Sequence, residues 1–163
     1  MIRTVFLLLT LLASPAFAQI SDIDLRAAEG YVSCLGIKGD VTAAVPTFGL
    51  FGWTDREETE AGTRYTRPGF AATNSALLSP DGATCDVTAA YGTEAALARL
   101  QDNLRFTEFA AFTVTTDAQG CTLIQLDATA TATLTSGDDP ALCTSPTTSR
   151  VRFSFPPKAE VTE

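Results

Sequence analysis

Residues 121–135 read CTLIQLDATATATLT, and this stretch decides the predicted fold. Apolar and polar residues alternate along it with a period of two, which is typical of an antiparallel strand with one wet face. The predicted core side consists of Ile124, Leu126, Ala128, Ala130, Ala132 and Leu134. The opposite side consists of Leu123, Gln125, Asp127, Thr129, Thr131, Thr133 and Thr135. Because the core side is rich in alanine, we expect something bulky, most simply the leucine stripe of a helix, to pack against it.

Three helices are predicted. The first begins after the N-cap Ser21, and its apolar stripe is Leu25, Ala28, Val32 and Leu35. Asp40 is placed to cap a second, short helix over residues 41–48. The third begins at the N-cap Thr93, and its buried stripe is Leu97, Leu100 and Leu104. Each stripe follows the spacing of one helix face.

Further strands are predicted on both sides of the third helix. Before it, we expect a strand over residues 62–67 and a hairpin in which residues 80–82, PDG, turn the chain into a strand over 83–89. After it, strands are predicted over 112–116 and 151–155. Helix and hairpin recur twice. The predicted fold class is α+β, an antiparallel sheet with two or three helices packed on one face, a tandem helix–hairpin arrangement and two disulfides.

The four cysteines are Cys34, Cys85, Cys121 and Cys143. An even number in an exported domain predicts disulfides, and four cysteines allow three pairings. We predict Cys34–Cys85 with Cys121–Cys143, because each bridge then stays within its own half of the chain. No Cys-x-x-Cys pair is present, so neither a thioredoxin-like redox site nor a zinc site is indicated. At this coarse level the arrangement resembles the two-disulfide tandem α/β inhibitors of secreted enzymes, from which we transfer no residue role.

Residues 1–18, MIRTVFLLLTLLASPAFA, have the form of a secretory signal peptide. Arg3 supplies the positive start, an apolar run follows, and Ala16 and Ala18 are the small residues of the cleavage site. We expect cleavage after Ala18 and a periplasmic or secreted protein without stable membrane insertion. The alternative is an uncleaved membrane anchor.

After cleavage, we predict a single globular domain over residues 19–157 and a frayed C-terminal tail over 158–163. The composition excludes several functions. Histidine is absent from the 163 residues, which removes Ser-His-Asp and Cys-His catalysis and most catalytic zinc sites. Lys and Arg number 11 against 19 Asp and Glu, and a net charge of −8 argues against nucleic-acid binding. No phosphate-binding loop or nucleophile elbow is present, so no cofactor is predicted.

The candidate binding site is the aromatic stretch 48–53, FGLFGW. Phe48, Phe51 and Trp53 are the anchors, because large aromatic side chains dominate many protein interfaces. The alternative is that these rings fill the core around the first helix.

Two acidic groups are weighed against structural roles. The run DREETE at 55–60 offers carboxylates for acid–base work, or forms a solvated loop or strand edge. Asp138 and Asp139, with Asp117 or Asp127, are candidates for calcium binding, or cap a loop. No calcium-loop spacing is present, so no metal site is predicted.

Basic and hydroxyl side chains form two further candidates. Arg150 and Arg152 share one side of the last predicted strand, and Arg64 and Arg67 are candidates to join them in binding an anion or an acidic loop of a partner. The alternative is a basic edge that prevents strand pairing or balances the local acids. The threonines of 129–135 form a polar binding face or an ordinary wet strand surface.

These observations predict an exported protein that acts by binding a protein partner. It would be an interaction or accessory module, and an inhibitor is one form of such a module. No enzymatic activity is predicted. The alternatives are a carboxylate-based hydrolase of cell-envelope glycans, which needs two converging acids, and a small-ligand carrier with a large apolar pocket.

Overall fold

The structure, a computed structural model, describes residues 22–156, so the predicted signal peptide and tail lie outside the described residues. Helix α1 covers Asp22–Ile37, a 3₁₀ turn covers Val41–Ala43, α2 covers Ala44–Leu50 and α3 covers Thr93–Leu104. Among these residues no helix is long and apolar enough to cross a membrane.

Eight strands form one antiparallel sheet in the order β1-β2-β3-β4-β8-β7-β6-β5. Their bounds are β1 Asp55–Thr59, β2 Gly62–Thr66, β3 Asn74–Leu78, β4 Thr84–Ala89, β5 Thr113–Thr116, β6 Thr122–Gln125, β7 Thr131–Thr135 and β8 Ser149–Ser154. Each half of the chain is a helical segment followed by a four-stranded meander, and the pairing of β4 with β8 joins the halves. The helices pack on one face of the sheet, which confirms the predicted α+β class.

The predicted single strand over 121–135 is wrong, because the chain turns back between β6 and β7. The Asp127 carboxylate accepts the backbone N–H groups of Thr129 at 2.7 Å and Ala130 at 2.8 Å, and it closes this turn. Ile124 lies opposite Ala132, so even-numbered residues face the core in both strands. The alternation therefore continues through the hairpin unchanged and conceals the turn, where Ala128 is exposed.

The predicted buried stripe of α1 is also largely wrong. Leu25 is 43% and Val32 is 38% exposed, whereas the fully buried positions include Ala27, Tyr31 and Cys34. Small residues face the sheet because they allow the helix backbone to approach it closely. The Tyr31 ring reaches across to Phe153 of β8, 6.1 Å between centroids.

The stripe of α3 is confirmed at Leu100 and Leu104, which are fully buried, while Leu97 is half-buried. The N-cap of α3 is Gly92, one residue before the predicted Thr93. Thr93 is instead the first helical residue, and its backbone N–H donates to the carbonyl of Ser145 at 2.9 Å. This contact ties the start of α3 to the loop that precedes β8.

Both predicted disulfides are present. Cys34–Cys85 joins α1 to β4 in the core, where both residues are 0% exposed. Cys121–Cys143 joins the residue before β6 to the loop between β7 and β8, and Cys143 is half-buried. One bridge therefore fixes a helix on the sheet, and the other fixes two loops beside it.

Gly30 lies where α1 crosses the sheet, and a Cβ there would be 2.9 Å from Val87 Cγ1 and 3.1 Å from Trp53 Cη2. We expect Gly30→Ala to lower the free energy of unfolding by about 1–3 kcal/mol, because the packed core must shift to admit the methyl group. Gly49 of α2 has no atom within 4 Å of the same position. Gly49→Ala should therefore raise the free energy of unfolding by about 0.5–1 kcal/mol through helix propensity. Urea denaturation measures both, and equal effects would contradict the close approach at Gly30.

The two disulfides should differ in their effect on stability. Their sequence separations are 51 and 22 residues. In the chain-entropy model, removing them costs about 4 kcal/mol for Cys34–Cys85 and about 3.5 kcal/mol for Cys121–Cys143. Because Cys34 and Cys85 are fully buried, their replacement should add a packing loss to this difference. Thermal unfolding of the variants Cys34→Ala/Cys85→Ala and Cys121→Ala/Cys143→Ala tests which bridge contributes more stability. A lower melting temperature for Cys121→Ala/Cys143→Ala than for Cys34→Ala/Cys85→Ala would contradict the prediction.

Candidate functional site

The face of the sheet opposite the helices carries a continuous row of side chains across all eight strands. Residues paired directly across strands lie on the same face. The row consists of Glu57, Arg64, Leu77, Asp86, Arg152, Thr133, Leu123 and Thr115. Two flanking rows lie on the same face. One contains Thr88, Arg150 and Thr135, and the other contains Ser154, Thr131 and Gln125. We call the face formed by these three rows the open face. The helices pack on the other side, on residues such as Val87 and Phe153.

The open face is large enough for a protein interface. Seven spacings between eight strands make it about 34 Å wide, and strands of this length extend about 13–20 Å. The resulting area of about 600 Å² approaches the roughly 800 Å² that one partner contributes to a standard interface. Threonine is its most frequent side chain, and its charged residues are two cross-strand pairs, Arg150 near the centre and Asp55 on the edge strand β1.

At the centre of the open face, Arg152 binds Asp86 through two hydrogen bonds. Nε donates to Oδ1 and Nη2 donates to Oδ2, each at 2.7 Å. The Asp86 side chain is 8% exposed and that of Arg152 is 51% exposed. The hydrogen bond to Asp86 raises the pKa of Arg152. The pair neutralises the deeper carboxylate and leaves the guanidinium at the surface.

Arg150 lies next to this pair and has no carboxylate of the described residues within 4.0 Å. Its Nη2 donates to the carbonyl oxygen of Gly137 at 3.2 Å, which fixes the half-buried side chain. Arg150 is therefore the cation of the open face that lacks a negative partner. The second pair, Arg64 with Glu57 at 3.0 Å, lies at the β1 edge.

A cavity of about 280 Å³ opens beside Arg150. Thr133, Thr135, Arg150 and Arg152 line it from the sheet, and loop residues around Gln119 and Ala141 line it from the side. We call it the Arg150 cavity. The Cys121–Cys143 bridge holds the two loops together. The loop at 117–121 is further fixed by Asp117, whose Oδ1 accepts the N–H groups of Gln119 at 2.9 Å and Cys121 at 2.8 Å.

A larger cavity, of about 740 Å³, lies beside the first turns of α3. Glycine, alanine, proline and hydroxyl residues line it, with Glu94 as its charged member. This cavity offers few directed polar groups. We therefore build the candidate site on the open face and the Arg150 cavity, where charge and hydrogen-bond donors converge.

The predicted aromatic anchors are placed mainly in the core. Phe48 is 0% and Trp53 is 1% exposed, and Phe51 is half-buried. The Phe48 ring stacks on Tyr65 with 4.3 Å between centroids, and Trp53 Nε1 donates to Glu29 Oε2 at 3.3 Å. The core-filling interpretation therefore describes Phe48 and Trp53, and neither ring is accessible to a partner in this structure.

The acidic groups have structural partners. Residues 55–59 form the exposed edge strand β1, where Glu58 Oε2 accepts the Thr63 hydroxyl at 2.8 Å. Asp138 Oδ2 accepts the Thr148 hydroxyl at 2.8 Å, and Asp139 Oδ1 accepts the Ala141 N–H at 2.9 Å, as expected for loop caps. The described part of the chain contains no group of three metal-ligating side chains.

Two of the carboxyl groups are held ionised by turns. Hydrogen bonds from the Ser79 hydroxyl and the Ala83 N–H lower the pKa of Asp81. Backbone hydrogen bonds from Thr129 and Ala130 lower the pKa of Asp127. These groups stabilise hairpin turns and are poorly suited to donate a proton near neutral pH.

Of the predicted arginine group, Arg150 and Arg152 meet at the centre of the open face and Arg64 lies at its edge. Arg67 is elsewhere, because it donates to the carbonyl of Phe51 at 3.0 Å and lies 3.6 Å from Glu29. Thr131, Thr133 and Thr135 lie on the open face, whereas Thr129 is in the turn after β6. Asp86 was not among the predicted site residues, and its only signal in the sequence is its place on the polar side of the predicted strand 83–89.

The fold and the site define an α+β protein with two disulfides. It is built from two halves, each a helical segment followed by a four-stranded meander, and no helix of residues 22–156 packs on one face of its sheet. Comparisons with family models, curated proteins and solved structures find no match to this chain. The geometry of the open face is therefore the basis for a function of this chain.

Removing one member of the central ion pair should destabilise the protein more than removing both. Arg152→Thr leaves the Asp86 carboxylate buried without its partner, which costs about 1–3 kcal/mol. In the double variant Asp86→Thr/Arg152→Thr, two β-branched side chains replace the pair, and most of this loss should be recovered. Urea denaturation of wild type, both single variants and the double variant measures the coupling. Additive losses would show that the two side chains do not act as a pair.

Proposed function

We propose that this chain is an exported protein, periplasmic or secreted, that binds a protein partner through its open face. The observation that carries the proposal is that, within residues 22–156, helices pack on one face of the eight-stranded sheet and no helix packs on the other, although that face crosses all eight strands. The two disulfides fit an oxidising compartment, which supports export.

The side chains of the open face suit reversible recognition. Threonine is β-branched and stiff at χ1, so little side-chain freedom is lost when a partner covers it. Arginine is enriched among residues that dominate binding energies, and Arg150 and Arg152 lie together near the centre. Leu77 and Leu123 add half-buried apolar surface between the polar rows. Such a mixture is typical of partners that fold separately and then associate.

Binding is favoured over carboxylate catalysis because the deeply placed acids are engaged by arginines. Asp86 is paired with Arg152. Glu29 accepts hydrogen bonds from Arg26 and Trp53 and lies near Arg67. A glycoside hydrolase needs two carboxyl groups that face each other across a sugar site, whereas Asp86 and Glu29 are each held in ion pairs with arginines.

A photocrosslinking amino acid placed at Thr131 tests the proposal. Thr131 lies on the open face outside the Arg150 cavity, and Ala98 is the matched control on the exposed side of α3. With the oxidised protein in its native exported fraction, we expect one crosslinked product of defined mass from position 131 and none from position 98. A product of twice the chain mass would identify a second copy as the partner.

Two results would contradict the proposal. Crosslinking from position 98 alone would place the interface on the helical side. Equal yields from both positions would indicate nonspecific capture. Identification of the captured protein then shows whether it is an enzyme, and an activity assay of that enzyme with and without this chain tests the inhibitory form of the proposal.

A further inference from the structure

We propose that the Arg150 cavity receives the carboxylate of one aspartate or glutamate side chain of the protein that binds the open face. This inference rests on the proposed function and adds the chemistry of the contact at its centre. It is argued from three properties of the cavity: its charge, its donors and its size.

No carboxylate of the described residues forms an ion pair with Arg150, whereas Arg152 is paired with Asp86. Arg150 is half-buried, and burial strengthens its attraction for an anion relative to an exposed arginine. The lining contains two arginines and one carboxylate, that of Asp117, whose Oδ1 accepts two backbone N–H groups of its own turn. One unpaired cation accommodates one negative charge, as a single side-chain carboxylate provides.

The donors around the cavity match a carboxylate. Among residues 22–156, one of the five guanidinium N–H groups of Arg150 is committed, to the carbonyl of Gly137. Thr133 and Thr135 also line the cavity, and of their two hydroxyls that of Thr135 already donates to the Ser136 carbonyl at 3.4 Å. Arginine binds carboxylates in a bidentate manner, and neighbouring hydroxyls can donate to the remaining lone pairs. Arg152 on the same strand completes this donor set beside the cavity.

The volume fits a side chain better than a free metabolite. At about 280 Å³ the cavity lies just below the roughly 300–1,000 Å³ that is usual for small-molecule sites. It also opens directly onto the open face, so a residue of a covering partner can enter it. The Cys121–Cys143 bridge fixes the loops on one side, which keeps the cavity formed before the partner arrives.

The test uses N-acetyl-glutamate amide, which carries one side-chain carboxylate, and its neutral isostere N-acetyl-glutamine amide. Amide NMR spectra of the oxidised protein are recorded with each probe. We expect the glutamate probe to shift the amide signals of Gln119, Gly137 and Ala141 in a saturable manner, and to bind at least fivefold more tightly than the glutamine probe. Arg150→Gln should abolish this preference. Arg64→Gln, three strands away on the same face, should preserve it.

The source of the carboxylate is tested by crosslinking from Thr131 in the Arg150→Gln variant. A several-fold lower yield of the crosslinked product, with wild-type yield for Arg105→Gln, supports a carboxylate of the partner, because Arg105 is an exposed arginine that follows α3, away from the open face. Wild-type yield with Arg150→Gln, although the glutamate probe binds at Arg150, would show that the cavity serves a free carboxylate and would overturn the inference. Equal binding of both probes, or no saturable shift, would also overturn it. The proposed function is unaffected by these outcomes, because it depends on the contrast between positions 131 and 98.

Discussion

The pairing of β4 with β8 is the contact on which the rest of this structure depends. Six residue pairs, from Thr84–Ser154 to Ala89–Ser149, join two four-stranded meanders into one sheet. Because the pairing is antiparallel, both helical segments come to lie on the same face. It also brings Asp86 opposite Arg152, so the core and the open face both originate at this junction.

Local patterns were sufficient to predict the class of fold and much of its detail. The turn at residues 80–82 and the stripe of α3 depend on interactions close in sequence, and the disulfide pairing was predicted by keeping each bridge within its own half of the chain. The hairpin of β6 and β7 was missed because its register keeps even-numbered residues on the core face through the turn. In α1, hydrophobicity favoured Leu25 and Val32, but close approach to the sheet selected Ala27 and Gly30.

The candidate site was predictable only in part, because its members come from segments far apart in the chain. Periodicity placed Arg150 and Arg152 on the wet side of their strand, and it placed Asp86 on the wet side of another. Nothing local shows that these strands are neighbours, since Asp86 and Arg152 are 66 residues apart. The cavity likewise needs the Cys121–Cys143 bridge and the β5–β6 turn to be brought beside β8. Residues 48–53 were a candidate binding site because they are rich in aromatic side chains. A dense apolar cluster is equally suited to a core, and Phe48 and Trp53 lie in the core.

The position of β8 has a consequence for the order in which the protein assembles. The first half of the chain contains α1, α2, β1–β4 and its own disulfide, and it is synthesised before β8. During that interval β4 is an open sheet edge, with backbone groups that only an incoming strand can pair. The strand that belongs there comes at the end of the second meander, and an identical strand from a second molecule makes the same hydrogen bonds. Exchange of the two halves between copies therefore needs no new contact, and rapid closure by β8 of the same chain disfavours it.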